Sequence, residues 1–292
     1  MYPELFHIGG FTVSSFGVMM ALAFVSAGFV ARWQFGKRGV KPDFVWGLVI
    51  AAVIGGLLGA KIHYLILHPD AWPENLLSGS GLVWFGGMFG ALLAAVVVTL
   101  LSKQRLGAVM DGAAICLPVG YAIGRIGCFL VGDDYGKPTD LPWGMAFPNG
   151  LPPTTVAVHP TQLYEILASL VIFALLVWVI GPRFKREGPL MFAYAILAGI
   201  ERFLVEFIRT NEPIALGLTQ QQWISIALIV VGIAGTWWFA TRGRLRPAVS
   251  APALGEAAEA AIVSPPGPGD PAAGADTDAS ESKDQRGKRR DG

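Results

Sequence analysis

Several ionisable side chains lie inside long apolar stretches of this 292-residue chain. Each charge costs about 2.5 to 3.5 kcal/mol at the centre of a membrane-spanning helix, so each is expected to have a partner or a function. The set comprises Lys61, His63, Arg125, Glu165, Glu201, Arg202 and Glu206. Arginine suits the binding of a phosphate group, because its planar guanidinium stays charged and donates two parallel hydrogen bonds. These residue types therefore favour a membrane site for an anionic, phosphate-bearing molecule.

Arg125 and Arg202 differ in the partners that their own helices offer. Arg202 and Glu206 are four residues apart and can pair along one helix, in which case they only neutralise each other. Arg125 has no acid within one turn, and Asp111 lies about 21 Å away along the same helix. Lys61 is equally compatible with a long side chain that reaches the membrane surface. Arg125 therefore requires a partner from another element.

The elements that carry these residues are predicted to be membrane-spanning helices. Hydrophobic residues make up 53% of the chain and charged residues 15%, which excludes a water-soluble fold. Apolar runs of about 20 residues occur near 13–33, 45–67, 82–101, 109–131, 162–180, 189–208 and 222–240. The predicted fold class is therefore an all-α integral membrane protein with seven transmembrane helices.

The lysines and arginines between the apolar runs predict the orientation of the chain. They concentrate after the first, third, fifth and seventh runs, at Arg32, Lys37, Arg38, Lys41, Lys103, Arg105, Arg183, Lys185, Arg186, Arg242, Arg244 and Arg246. The other connections hold only Lys137 and Arg209. Basic loops stay in the cytoplasm, which places the N-terminus outside and the C-terminus inside. No basic segment precedes the first run, so we expect that helix to be retained rather than cleaved as a signal peptide.

This orientation gathers the candidate residues at one level of the membrane. The second, fourth and sixth helices run outwards, which places Lys61, Arg125 and Arg202 about 10 Å below their outer ends. The fifth helix begins at HPTQLYE, so three further polar residues lie at the same boundary: His159, Gln162 and Glu165. The sequence thus predicts one charged cluster in the outer leaflet.

Glycines recur at a spacing of four residues in the second, third and fourth helices. Such pairs favour close packing between helices, and we favour this interpretation. FGGMFG also lies at the predicted outer end of the third helix, where Gly86 and Gly87 would leave room for a ligand.

The composition changes near residue 247. Residues 247–292 are rich in Ala, Pro, Gly, Ser and mixed charge, and too poor in large apolar residues to fold. We therefore expect a membrane domain over 1–246 and a disordered cytoplasmic tail. The two cysteines, Cys116 and Cys128, would lie about 18 Å apart on one helix, so no disulfide is expected.

Three motifs, taken together with their order and spacing along the chain, resemble those of the bacterial phosphatidylglycerol-prolipoprotein diacylglyceryl transferases. They are GRIGCFLVGDDYG (124–136), HPTQLYE (159–165) and GIERFLVEFIR (199–209), with weaker support from GAKIHY (59–64), GLVWFGGMFG (81–90) and GLTQQQWISI (217–226). The resemblance implies a seven-helix enzyme of the bacterial inner membrane, with its active site facing the outer leaflet. Such an enzyme moves the diacylglyceryl group of phosphatidylglycerol onto the lipobox cysteine of a preprolipoprotein, forming a thioether and releasing glycerol phosphate.

The resemblance also implies roles for individual residues. Arg125 takes the place of the essential arginine in the family's GRxGNF signature, and Arg202 and Glu206 match its sixth-helix motif. We expect these three residues and His159 to be catalytic. The expected phospholipid-binding residues are Arg125, Arg202, Lys61, Gly86, Gly87, Asp133, Gln162 and Glu165. No cofactor, metal ion or nucleic-acid partner is expected.

Four positions depart from the commonest family pattern. Phe85 stands where a histidine precedes Gly-Gly, Phe16 where a tyrosine lies, Cys128 where the signature has asparagine, and Asp133 where it has glutamate. The histidine is a candidate base for the thiol in that family, and phenylalanine cannot accept a proton. The base therefore stays open among His159, Glu206, Asp133 and His63. A lipid-binding relative without activity is the alternative function, and a solute transporter is a third.

Overall fold

A computed structural model of the protein describes residues 2–9, 11–69 and 83–246. Seven helices of at least 14 residues occur in these ranges: α1 (Ser15–Lys37), α2 (Phe44–Leu67), α3 (Trp84–Leu101), α4 (Leu106–Val131), α5 (Thr161–Ala174), α6 (Pro189–Val205) and α7 (Gln220–Arg242). A π-helical segment and a 3-10 turn continue α5 to Arg183. The predicted tail over 247–292 lies outside the described residues, so the division of the chain near residue 247 stays a prediction.

Five helical segments of the described residues are long and apolar enough to cross a membrane. They are Ser15–Lys37, Phe44–Leu67, Leu106–Val131, Thr161–Arg183 and Gln220–Arg242. The apolar part of α3, Phe85–Leu101, is shorter, and α6 has 17 residues. The prediction of a mostly helical membrane protein is therefore confirmed, whereas seven crossings and the orientation of the termini stay predictions.

Three short antiparallel hairpins accompany the helices, and the all-α prediction missed them. Within the described residues they pair β1 (Glu4–Ile8) with β2 (Phe11–Ser14), β3 (Met145–Phe147) with β4 (Thr154–Val158), and β5 (Pro213–Ala215) with β6 (Leu218–Thr219). The third hairpin turns through Leu216 and Gly217, with φ of 52° and 73°, the left-handed conformation that tight hairpin turns require. Strands this short, next to long apolar helices, give little periodic signal in the sequence.

Helices α2 and α3 pack through the predicted glycine pairs. A Cβ on Gly59 would collide with the backbone of Gly86 and lie 2.9 Å from Cα of Gly90. A Cβ on Gly86 would likewise collide with Gly59 and with the His63 side chain. The packing interpretation of these glycines is thus confirmed, and α2 already fills the space beside Gly86.

Helix α4 lies at the centre of the helical core. One buried cluster joins it to α1 and α2 through Phe35 and Val45, and another joins it to α5 and α6 through Ile115 and Leu190. Gly112 of α4 lies directly against the Phe35 ring. Neighbours on both sides fix α4, and this packing holds Arg125 between α5 and α6.

Candidate active site

One chain reversal with two left-handed residues builds the site at one end of α4. Gly132 ends α4 in the left-handed conformation with φ of 76°, and Asp134 follows with φ of 62°. This reversal turns the chain back, so that the Asp134 carboxylate contacts Arg125 in the last two turns of α4. The first turns of α5 supply Glu165, and the last turn of α6 supplies Arg202.

Glu165 is the centre of the cluster and is fully buried. Its Oε2 lies 2.7 Å from Nε of Arg125, and its Oε1 accepts hydrogen bonds from Arg125 Nη2 at 3.2 Å and Arg202 Nη1 at 3.0 Å. The Tyr121 hydroxyl donates to the same oxygen at 3.3 Å and accepts from Arg125 at 3.0 Å. Arg125 thus has the partner from another helix that the sequence required, and one buried carboxylate holds both predicted arginines.

Glu206 holds Arg202 from the other side. Nη2 of Arg202 lies 2.9 Å from Glu206 Oε2, so the predicted pair along α6 is present. Glu206 Oε1 accepts from Asn211 Nδ2 at 2.6 Å and Thr219 Oγ1 at 2.9 Å. Thr219 is also the N-cap of α7, where it forms a capping box with Gln222. The start of α7 is therefore tied to the charged cluster.

Asp134 is a member of the cluster that the sequence analysis missed. Its Oδ2 accepts from Arg125 Nη1 at 2.7 Å and its Oδ1 from Arg209 Nη2 at 2.6 Å. Its backbone oxygen accepts from Thr161 Oγ1 at 2.6 Å and from Arg209 Nη1 at 3.1 Å. Burial opposes ionisation of this carboxyl, but Arg209 and Arg125 lower its pKa overall. The signal in the sequence was the second acid of GRIGCFLVGDD, which lies nine residues after Arg125, beyond helical pairing range.

The cluster has an inner and an outer side. The side chains of Glu165 and Glu206 are fully buried, whereas those of Arg125 and Arg202 are 12% and 23% exposed and that of Asp134 is 42% exposed. The buried carboxylates therefore hold the guanidinium groups from the buried side of the cluster. An anion that approaches the exposed side meets Asp134 first. A rigid pair of arginines held in this way could stabilise negative charge on a phosphate group.

His159 and Gln162 lie beside the cluster and support its loop. The described side-chain partner of His159 is the Tyr164 hydroxyl, 3.4 Å from Nδ1, and the His159 backbone pairs with Gly136 and Lys137. Gln162 is fully buried, and its Nε2 donates to the backbone oxygen of Asp133. Glu201 of α6 is partly buried, and its Oε1 has no hydrogen-bond partner among the described residues. The proposed roles of His159 and Gln162 stay predictions.

Lys61, Gly86 and Gly87 belong to the α2 and α3 pair. Nζ of Lys61 lies 5.9 Å from the Tyr64 ring centroid. A Cβ on Gly87 would lie 3.4 Å from Cβ of Ala60, so Gly87 also faces α2. The ligand-binding roles of Lys61, Gly86 and Gly87 stay predictions.

One group of side chains resembles a metal site by proximity alone. The possible ligand atoms of Cys128, Asp133 and Asp134 lie within 4.8 Å of one another. Arg125 and Arg209 already bind Asp134, and their positive charges oppose a cation at this position. Burial raises the pKa of Asp133, and the negative charge of Asp134 adds to this shift. We assign no metal to this group.

The described residues thus define a mostly helical membrane protein in which buried carboxylates hold two arginines, Arg125 and Arg202. The sequence model of the family described as prolipoprotein diacylglyceryl transferase matches residues 3–238. The chain belongs to this family, which confirms the resemblance drawn from the three motifs.

Curated relatives agree with the family match. The chain is 36% identical over 269 residues to the phosphatidylglycerol–prolipoprotein diacylglyceryl transferase of Bordetella bronchiseptica, over 82% of this chain and 95% of the relative. It is 33% identical over 245 residues to the protein of that name from Geobacter sulfurreducens, over 79% of this chain and 92% of the relative. The Clostridium tetani protein of that name is 33% identical over 242 residues, over 80% of this chain and 96% of the relative.

Proposed function

We propose that this protein transfers the diacylglyceryl group of phosphatidylglycerol to the lipobox cysteine of preprolipoproteins in lipoprotein biogenesis. The observation that carries the proposal is the pairing of Arg125 and Arg202 on one buried carboxylate, Glu165. Membership of the family and the names of its curated relatives supply the substrates. The pair of arginines supports the proposal, because guanidinium groups suit the binding of a phosphate.

The reaction needs stabilisation of a leaving group more than a strong base. The cysteine thiolate attacks the glyceryl carbon that bears the phosphate, a C–S bond forms, and the C–O bond to phosphate breaks. Its electron pair leaves with glycerol phosphate, and the thiol proton passes to a base, to water or to the departing phosphate. A free cysteine has a pKa near 8.5, so a modest base suffices. Arg125 and Arg202 stabilise the charge that develops on the departing phosphate.

Glu165 and Glu206 act as positioning residues in this mechanism. Each is fully buried and bonded to at least one of the two guanidinium groups, so the arginines require little reorganisation when phosphate arrives. Glu206 is a poor candidate for the base, because Arg202, Asn211 and Thr219 already occupy its oxygens. His159 and Asp133 are the better candidates, and His63 packs against Gly86 instead.

Asp134 competes with the donor phosphate for Arg125. It occupies Nη1 of Arg125 on the exposed side of the cluster, where a lipid phosphate would approach. Binding of phosphate therefore displaces Asp134 from Arg125, while Arg209 retains the displaced carboxylate at 2.6 Å. Asp134 lowers the affinity for donor and keeps the empty site neutral.

The membrane placement of this site follows the distribution of basic residues. We propose seven crossings in the bacterial inner membrane, with the N-terminus outside and the C-terminus in the cytoplasm. The ends of α4 and α6 that carry Arg125 and Arg202 then face the outer leaflet, where secreted preprolipoproteins emerge. Helix α6 has 17 residues and continues into the 3-10 turn Glu206–Ile208, which lengthens this crossing.

The test is transfer from labelled phosphatidylglycerol to a lipobox peptide by the purified full-length protein. We expect a peptide whose mass increases by one diacylglyceryl group. Arg32→Ala is a matched control, because Arg32 is an exposed arginine of α1 that pairs with the exposed Asp43, away from the proposed site. Its activity should stay within twofold of wild type.

The alternative is a lipid-binding relative that has lost activity. Phe85 at the position of the family's histidine favours it, as does Phe16, which packs beside Gly127, two residues after Arg125. A folded wild-type protein that binds phosphatidylglycerol but forms no thioether would establish this alternative. Solute counterflow in vesicles would instead support a transporter.

A further inference from the structure

A second charged cluster lies at the opposite end of the helices. Asp111 is fully buried in α4 and accepts from the backbone N–H of Leu190 at 2.9 Å, which caps the start of α6. Arg246 binds Asp111 at 3.0 Å and donates to the backbone oxygen of Gly181 at 3.1 Å. The proposed transfer reaction uses none of these groups.

Two further arginines complete this cluster. Arg105 pairs with the buried carboxylate of Glu187 and also donates to the backbone oxygen of Arg38. Arg38 donates to the side chain and the backbone oxygen of Gln34. Both acids are therefore satisfied by other arginines, and Arg38 has only neutral partners among the hydrogen bonds of the described residues.

These groups surround a cavity of about 310 Å³, whose charged lining consists of Lys37, Arg38, Asp111, Glu187 and Arg246. This volume is at the lower end of the range for small-ligand sites, about 300 to 1,000 Å³. Among the described residues, three cations and two acids line the cavity, and Glu187 is already neutralised by Arg105. The lining therefore carries an excess of positive charge.

Two buried donors in this lining have no acceptor among the described residues. Nε of Arg38 and Nε of Arg246 each lack a hydrogen-bond partner within the ranges that the structure describes. Unsatisfied buried donors are rare and point to an acceptor that completes the site. Burial lowers the pKa of Arg38 to about 10; Asp111 opposes this shift, and the positive charge of Arg246 adds to it. An anionic partner would therefore stabilise the charged form of the Arg38 guanidinium.

We propose that this cavity binds a phosphate group through Arg38, Arg246 and Lys37. A phosphate supplies several acceptor oxygens, which match the unpaired Nε donors and the excess positive charge. The first turn of α4 also lines the cavity through Ala108, and helix N-termini favour anions. The same chemistry is offered by an anionic lipid headgroup and by a soluble phosphate.

The test compares Arg38→Gln with Arg32→Gln in an Arg125→Ala background, which removes the proposed transfer site from the measurement. Arg32 lies on α1, which ends directly before Arg38, and its loss removes the same charge, but Arg32 does not line the cavity. Equilibrium dialysis with labelled inorganic phosphate forms one arm. The other arm counts phosphatidylglycerol retained from phosphatidylcholine nanodiscs by native mass spectrometry.

Arg38→Gln should weaken binding tenfold or more in at least one arm, whereas Arg32→Gln should stay within twofold of the background. A loss in the phosphate arm alone assigns a soluble phosphate, and a loss in the lipid arm alone assigns a headgroup. Lys37→Gln, on an exposed side chain whose removal does not threaten folding, should weaken the same arm threefold or more. If neither Arg38→Gln nor Lys37→Gln differs from Arg32→Gln in either arm, the proposal is wrong.

Discussion

Replacement of Arg125 by alanine should reduce the rate of transfer far more than it reduces the stability of the fold. Without Arg125, Glu165 keeps Arg202 at 3.0 Å and Asp134 keeps Arg209 at 2.6 Å. Neither Glu165 nor Asp134 loses its last cationic partner, so the cost should stay below the roughly 3 to 5 kcal/mol of breaking a buried ion pair. We therefore expect Arg125→Ala to fold and insert normally.

The effect on transfer should be much larger than the effect on folding. Loss of one preorganised donor costs about 2.7 to 4 kcal/mol in the transition state, or two to three orders of magnitude in kcat. Arg125→Lys should recover only part of this loss, because an ammonium keeps the charge but cannot contact Glu165 and Asp134 with a planar fork. The assay is transfer of labelled diacylglyceryl to a lipobox peptide at matched protein levels. Near-normal activity of Arg125→Ala would remove Arg125 from the mechanism.

Five further outcomes are expected. Asp134→Asn should lower KM for phosphatidylglycerol threefold or more, because the amide competes less with phosphate; a higher KM would contradict this. The lowered pKa of Asp134 contributes stability above about pH 4 that is lost as pH falls through the folded-state value, so thermal unfolding of Asp134→Asn should depend less on acid pH. Phe85→His should retain or raise the transfer rate at neutral pH, and a tenfold loss in a folded protein would imply that the ring shapes the lipid site. Deletion of residues 250–292 should leave insertion and activity nearly unchanged, as measured by membrane fractionation and transfer. Reporters should locate residue 247 in the cytoplasm and a site near residue 79 outside, and the reverse at either site would discard the proposed orientation.

Much of the site could be predicted because charged side chains inside apolar helices carry a large free-energy cost and therefore need partners. Arg125 in an apolar helix without a neighbouring acid required a partner from elsewhere, and Glu165 provides it. The pairing of Arg202 with Glu206 follows from helical periodicity, and the packing of α2 against α3 follows from the glycine spacing. These are local rules that operate within one or two turns of a helix.

The features that the sequence analysis missed depend on chain reversals, which helical periodicity does not predict. Asp134 reaches Arg125 only because Gly132 and Asp134 both adopt left-handed backbone conformations after α4. The same reversal brings Asp134 against Arg209, seventy-five residues away in sequence. The hairpins were missed for a related reason, since strands of two to five residues lack a clear alternating pattern.

The link between Glu206 and Thr219 changes how the α6 ion pair should be understood. If Arg202 and Glu206 only neutralised each other, their joint replacement by apolar residues would be nearly harmless. In the structure Glu206 also accepts from Thr219, the residue that caps α7, and from Asn211, which precedes the hairpin before α7. Its loss would therefore leave two polar groups without their acceptor, in addition to the change in Arg202. The pair thus joins the position of Arg202, the proposed phosphate-binding arginine, to the fold of the α6 to α7 connection, so a double apolar replacement should reduce both activity and stability.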